Sequence, residues 1–158
     1  MSENNLYVVG IDFGTSNTAV AYAKIPHKET SNVDIVIYEL DKNQPKTKTI
    51  VALDTLKPHG KQCIAFGNQV KILLDDDEEV HANVLIFEHF KMALHDADNE
   101  NDDVMAHNGR KLKVKHVIGE TLRYLVEKTV SEINSQNRLG WNRERPLSGE
   151  QFGNMKFG

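Results

Sequence analysis

The stretch GIDFGTSNTAVAYA, residues 10–23, ends an apolar run in an aspartate. A glycine, two hydroxyls and a carboxamide follow before a second β-rich run starts. Asp12 closes residues 6–11 (LYVVGI), a run that suits a strand covered on both faces. A carboxylate there is costly to desolvate unless something compensates. A hydrated Mg²⁺ compensates well, because it keeps several waters and lodges beside one or two carboxylates. Gly14 lets backbone and ligand approach closely. Thr15, Ser16 and Asn17 add side-chain donors, and successive turn N–H groups can form a concave anion site without a helix behind them. Strand, aspartate, glycine, hydroxyls, strand therefore reads as a phosphate clamp with its own metal anchor. It is neither a Walker loop, which needs a lysine and a helix after the glycines, nor a GxGxxG dinucleotide fingerprint. The rival reading is a plain hairpin whose turn uses Gly, Ser and Asn as turns do.

Other chemistry is sparse. Asp96, Asp98, Glu100 and Asp102 are spaced like a calcium loop, but Asn101 stands where that loop needs glycine and His107 where it needs glutamate, so a solvated acidic loop is expected. Residues 75–79 read as an exposed acidic surface. The seven histidines are scattered; His81 and His89 could share a helical face, with no third ligand evident. Cys63 is the single cysteine, which excludes an intramolecular disulfide and a multi-thiolate metal site. No serine or cysteine sits in a nucleophile motif.

The elements that must position these residues follow from patterning. Residues 18–23 suit a strand paired to residues 6–11 across a tight turn, and residues 33–40 (VDIVIYEL) a third, giving an antiparallel meander. Residues 26–32 and 42–48 are polar breaks. Two more strands are expected at 49–53 and 63–66, separated by the turn Lys57-Pro58-His59-Gly60. Asn68 is placed to cap a short helix through Val70, Ile72, Leu73 and Leu74. Residues 84–94 (VLIFEHFKMAL) are apolar at helical spacing and predict a helix, with Phe87, Phe90 and Leu94 on one face. Residues 110–114 predict a strand leading into an amphipathic helix over 116–133, striped by Val117, Ile118, Thr121, Leu122, Leu125, Val130 and Ile133, with Glu120 off the stripe.

The hairpin stretch resembles the first phosphate motif of the actin, hexokinase and seventy-kilodalton heat-shock ATPase superfamily. AFGNQV, IFEHFKMALH and the amphipathic helix from His116 narrow the resemblance to the heat-shock branch, nearest its divergent 12A/12B-like members. The resemblance covers about residues 7–133. It implies an α/β fold of the actin-like ATPase (ribonuclease H-like) type. It also implies ATP and Mg²⁺ as cofactors and slow ATP hydrolysis coupled to conformational change in a chaperone of the stress response. Carried over, Asp12 would hold the hydrated Mg²⁺, Gly14, Thr15, Ser16 and Asn17 would wrap the phosphates, and Lys91 would help orient the attacking water, with Lys91 and Thr15 the catalytic pair.

The departures are as informative. The second phosphate motif, the adenosine-binding glycine motif and the V-P-A type strand of the family have no counterpart in residues 134–158. The expectation is a truncated first lobe over residues 1–135 and a poorly ordered, non-matching tail over 136–158. Whether such a chain hydrolyses ATP is left open, and an ATP-independent interaction fragment is the alternative. The chain has 158 residues and a net charge of -4, which argues against a non-specific nucleic-acid surface. The start lacks a signal-peptide pattern and no apolar run reaches membrane-spanning length, so the expectation is a cytoplasmic or nuclear chain. Expected partners are nucleotide and, by resemblance, protein clients or co-chaperones.

Overall fold

The computed structural model describes residues 6–25, 33–76, 83–94 and 102–139. It is a mixed α/β structure of small sheets and two helices. The expected meander is present. β1 (Leu6–Phe13) and β2 (Asn17–Ile25) pair antiparallel from Leu6↔Ile25 to Phe13↔Thr18. β3 (Ile35–Tyr38) lies on the other side of β2, and β4 (Thr47–Lys48) pairs with the start of β2. One expectation fails here. β1 is not covered on both faces: its residues alternate between exposed and half-buried, with Leu6 60% and Val8 54% exposed. Among the described residues β1 has one strand neighbour, and its inward residues Ile11 and Phe13 alone reach the main core.

The doubly covered strands lie elsewhere. β5 (Ile50–Asp54), β6 (Cys63–Phe66) and β7 (Val84–Glu88) form an antiparallel sheet in the order β6-β5-β7. On one face Ala52, Ala65, Val84 and Ile86 meet Val70, Leu73 and Leu74 of α1 (Asn68–Asp76). On the other, Val51, Leu53, Phe66, Leu85 and Phe87 meet Val117 and Leu125 of α2 (Val114–Leu139). Because β7 buries both faces, its side chains show no alternation. That is why residues 84–94 mimic a helix: residues 84–88 are a strand, in register with β5 from Ile50↔Glu88 to Asp54↔Val84. His89 then turns the chain with a φ of 55°, and only Phe90–Leu94 is helical, as a single 3-10 segment. Phe87 and Phe90 are buried, while Leu94 is 38% exposed.

β8 (Asp103–Met105) and β9 (Lys111–Lys113) form a hairpin, and α2 starts directly after it. Lys113 Nζ lies 2.9 Å from Asp102 and 2.8 Å from Asp103. α2 buries Val117, Thr121, Leu125, Val130 and Ile133 of the expected stripe, and the buried hydroxyls of Thr121 and Thr129 donate to the carbonyls of Val117 and Leu125. The helix runs to Leu139, six residues past the expected end; residues 140–158 of the expected tail lie outside the described residues, as do 26–32, His81 and 95–101. Near its far end Asn137 accepts a hydrogen bond from the hydroxyl of Tyr7 on β1 at 2.8 Å.

Two polar residues sit differently from expectation. Asn68 begins α1, but the carboxylate serving that end belongs to Asp41, whose Oδ2 accepts from the backbone N–H of Asn68 at 3.2 Å and from the buried hydroxyl of Thr47. Gly67, at a φ of +66°, makes the approach possible, since a Cβ there would lie 2.2 Å from Thr47 Oγ1. Glu120 is buried rather than solvated, accepting from the N–H of Gly60 at 2.5 Å and of Gln62 at 2.9 Å.

Candidate functional site

The hairpin between β1 and β2 is fixed from beneath. Gly14 N–H donates to the carbonyl of Asn17 at 3.1 Å, so a Cβ at position 14 would fall 2.4 Å from that oxygen and only glycine fits. Thr49 holds the turn twice: its hydroxyl donates to Gly14 O at 2.8 Å and its N–H to Ser16 O at 2.9 Å. The same hydroxyl lies 2.9 Å from that of Thr18, which is fully buried. The carbonyls of Gly14, Ser16 and Asn17 are thus all engaged within the protein. The hydroxyls of Thr15 and Ser16, with their backbone N–H groups, form no hydrogen bond to any other described residue. A turn with acceptors tied down and donors free presents the polarity an anion requires.

Two lysines flank it. The 3-10 helix carries Lys91 to the hairpin, where Nζ donates to the carbonyl of Phe13 at 2.5 Å and lies 5.7 Å from the centre of that ring. Phe13 in turn meets the buried Phe90, with ring centroids 6.0 Å apart. The contact spans 78 residues of sequence, so the strand and 3-10 helix, not a continuous helix, bring Lys91 here. Lys46 Nζ lies 3.3 Å from Asp12 Oδ2. Asp12 itself is exposed, with 69% of its side chain open, so the burial expected to demand a counter-ion is absent. It is available to a ligand instead. Sequence reasoning missed Lys46 and Thr49; Thr49 is legible only once β4, directly before it, is known to pair with the start of β2.

The donor set suits hydrated Mg²⁺. One open carboxylate oxygen on Asp12 and the hydroxyls of Thr15 and Ser16 are hard oxygen ligands, and two cations nearby suit the phosphates such a metal accompanies. Beside Asp12 a shallow depression of about 490 Å³ is lined by Gly10, Ala19, Ala21, Ile37, Pro45 and Lys46. A larger groove, about 820 Å³, lies away from the turn, between the first sheet and α2, against Tyr7, Tyr22, Tyr38, Glu132 and Asn137. Burial raises the tyrosine hydroxyls of Tyr22 and Tyr38 above their ordinary range, with Glu132 adding to it.

Comparison with known proteins agrees with the resemblance read from the residues. The chain is similar to Heat shock 70 kDa protein 12A of Mus musculus and of Homo sapiens, 29% identical to each over 137 residues. The match covers 83% of this chain and 20% of each relative, so the chain spans about a fifth of the length of the curated relatives it matches. No family model matches it, and no solved structure does. Among the described residues no helix is long and apolar enough to cross a membrane.

Proposed function

We propose that this chain forms the beginning of an actin-like, heat-shock 70 kDa-like nucleotide-binding domain, with residues 1–135 as its first-lobe part, and that the β1–β2 hairpin is its first phosphate clamp. The observation that carries this is the hairpin's polarity: engaged carbonyls, free donors at Thr15 and Ser16, an open carboxylate at Asp12, and Lys91 delivered from across the chain. The similarity to Heat shock 70 kDa protein 12A supports the same reading. In it, Gly14, Thr15, Ser16 and Asn17 wrap the phosphates and Asp12 holds hydrated Mg²⁺, which supplies charge neutralisation at the phosphate oxygens. Lys91 Nζ, which donates to the Phe13 carbonyl beside the turn, would orient the attacking water once the rest of the domain completes the site.

The described residues offer phosphate and metal contacts and little for adenine. Binding by this chain is therefore expected in the millimolar range, with little preference for ATP over GTP and no turnover above background. The test is an NMR titration with Mg-ATP. Shifts should concentrate at residues 12–17, 46 and 91 and weaken in Asp12→Asn. Shifts confined to other regions, or micromolar adenine-selective binding, would overturn the partial-clamp reading.

A second reading is an ATP-independent interaction fragment. The apolar residues exposed on the first sheet favour it: Leu6, Val8, Ile35 at 72% and Ile37 at 55%. A titration with no shift at the hairpin selects it.

A further inference from the structure

We infer that His59, His116 and Glu120 form a binding site for a divalent d-block cation of the Zn²⁺ type. Their donor atoms all lie within 4.8 Å of one another. His116 and Glu120 are four apart on α2, hence on one face of the helix, and His59 reaches them from the turn before β6. The two imidazoles meet edge to face at 4.9 Å and 81°. Two imidazoles and one carboxylate are a borderline donor set that suits Zn²⁺ and its neighbours. Three protein ligands also leave a coordination position open.

The neighbouring hydrogen bonds preset these ligands. Gln62 Nε2 donates to the carbonyl of Lys57 at 3.0 Å, which turns Gln62 Oε1 toward His116. That oxygen can only accept, so the proton of neutral His116 resides on Nε2, 2.7 Å away, and the lone pair lies on Nδ1. A metal-bound histidine is ordinarily held this way, by an acceptor on its other nitrogen. Glu120 is fixed likewise. Its two oxygens each accept one backbone N–H, from Gly60 and Gln62, and each retains a second lone pair. The buried carboxylate and half-buried His116 are thus oriented, while exposed His59 is the ligand free to close on the cation. Arg123, packed against Gly60, is the nearby cation that opposes occupancy. The site shares no residue with the hairpin.

Zn²⁺ titration of the full chain by calorimetry, with Co²⁺ absorption as a coordination probe, tests the inference. One equivalent should bind, raise the thermal midpoint, give the visible bands of nitrogen-coordinated Co²⁺, and resist competition by Mg²⁺. His59→Ala, on an exposed turn and checked for native circular dichroism, should weaken binding at least about tenfold, as should His116→Ala. Gln62→Leu should weaken it by about 10–100-fold through loss of the acceptor. His107→Ala, which lies 4.0 Å from Glu88 instead, should change nothing. No binding to the folded chain, or binding undiminished in His59→Ala, overturns the site.

Discussion

At the scale of single residues, steric demand and burial decide more than charge. The hairpin glycine and the helix glycine make a sharp pair. Gly14→Ala drives a Cβ into the Asn17 carbonyl and should destabilise the chain by about 1–3 kcal/mol. Gly119→Ala, with no heavy atom within 4 Å of its new methyl, should stabilise α2 by roughly 0.5–1 kcal/mol. Urea denaturation of both variants checks the signs. Burial also pushes the Cys63 thiol well above its ordinary 9.0, with Glu120 adding to it, and the Tyr124 hydroxyl from 10.0 to about 12. The unfolded chain loses these protons first, so above about pH 9 the folded state binds more of them and stability falls as pH rises. The slope reaches about 1.4 kcal/mol per pH unit for the buried Cys63 and less for the half-buried Tyr124, whose charge solvent screens. A denaturation series from pH 7 to pH 11 should show the decline starting near pH 9, and Cys63→Ala should delay its onset. The placement of Asp12 and the turn between two paired strands was legible in the sequence because types and spacing there are local. The burial of Glu120 was not, because its partners lie 60 and 58 residues away.

At the scale of elements, the sequence located most strands and both helices, left β4 and β8 unread, ended α2 six residues early and misassigned one type. β7 reads as a helix because a strand covered by α1 on one face and α2 on the other has no alternation to display. Phe87, Phe90 and Leu94 matched a helical face by coincidence. The β-branched Val84 and Ile86 and the shortness of the run were the available counter-signal. The start of α1 was also misattributed, since Asn68 has the right type for a cap but Asp41 supplies the carboxylate. The two assignments differ in outcome. Asp41→Ala should cost about 1–2 kcal/mol, because it strips the helix end and orphans the Thr47 hydroxyl. Asn68→Ala should stay within about 0.5 kcal/mol. Equal losses in guanidinium titrations would return the cap to Asn68.

At the scale of the whole molecule, the two sheets differ in how they meet solvent. The β6-β5-β7 sheet is enclosed by helices, whereas among the described residues β1 offers an edge and Leu6, Val8, Ile35 and Ile37 stay exposed. Open apolar edges pair with other chains. Sedimentation velocity should therefore show association that grows with concentration, and Val8→Lys should suppress it without lowering thermal stability by more than a few degrees. A clean monomer at high concentration would show that the edge is protected. Sequence patterning foresaw the meander but took β1 for the enclosed strand, because an apolar run records what a strand could bury and not which neighbours it has.

The hydrogen bond from Tyr7 to Asn137 also bears on synthesis. It joins positions 130 residues apart, so an early-made strand is tied down by a helix end made much later. At the ordinary elongation rate of ~5–20 residues per second, Thr49 and Lys91 reach the turn of the hairpin first, while the Tyr7 end of β1 waits on the order of ten seconds for Asn137. Chains arrested at increasing lengths should protect the turn from protease once residue 91 has emerged, and the Tyr7 end of β1 only after Asn137 has.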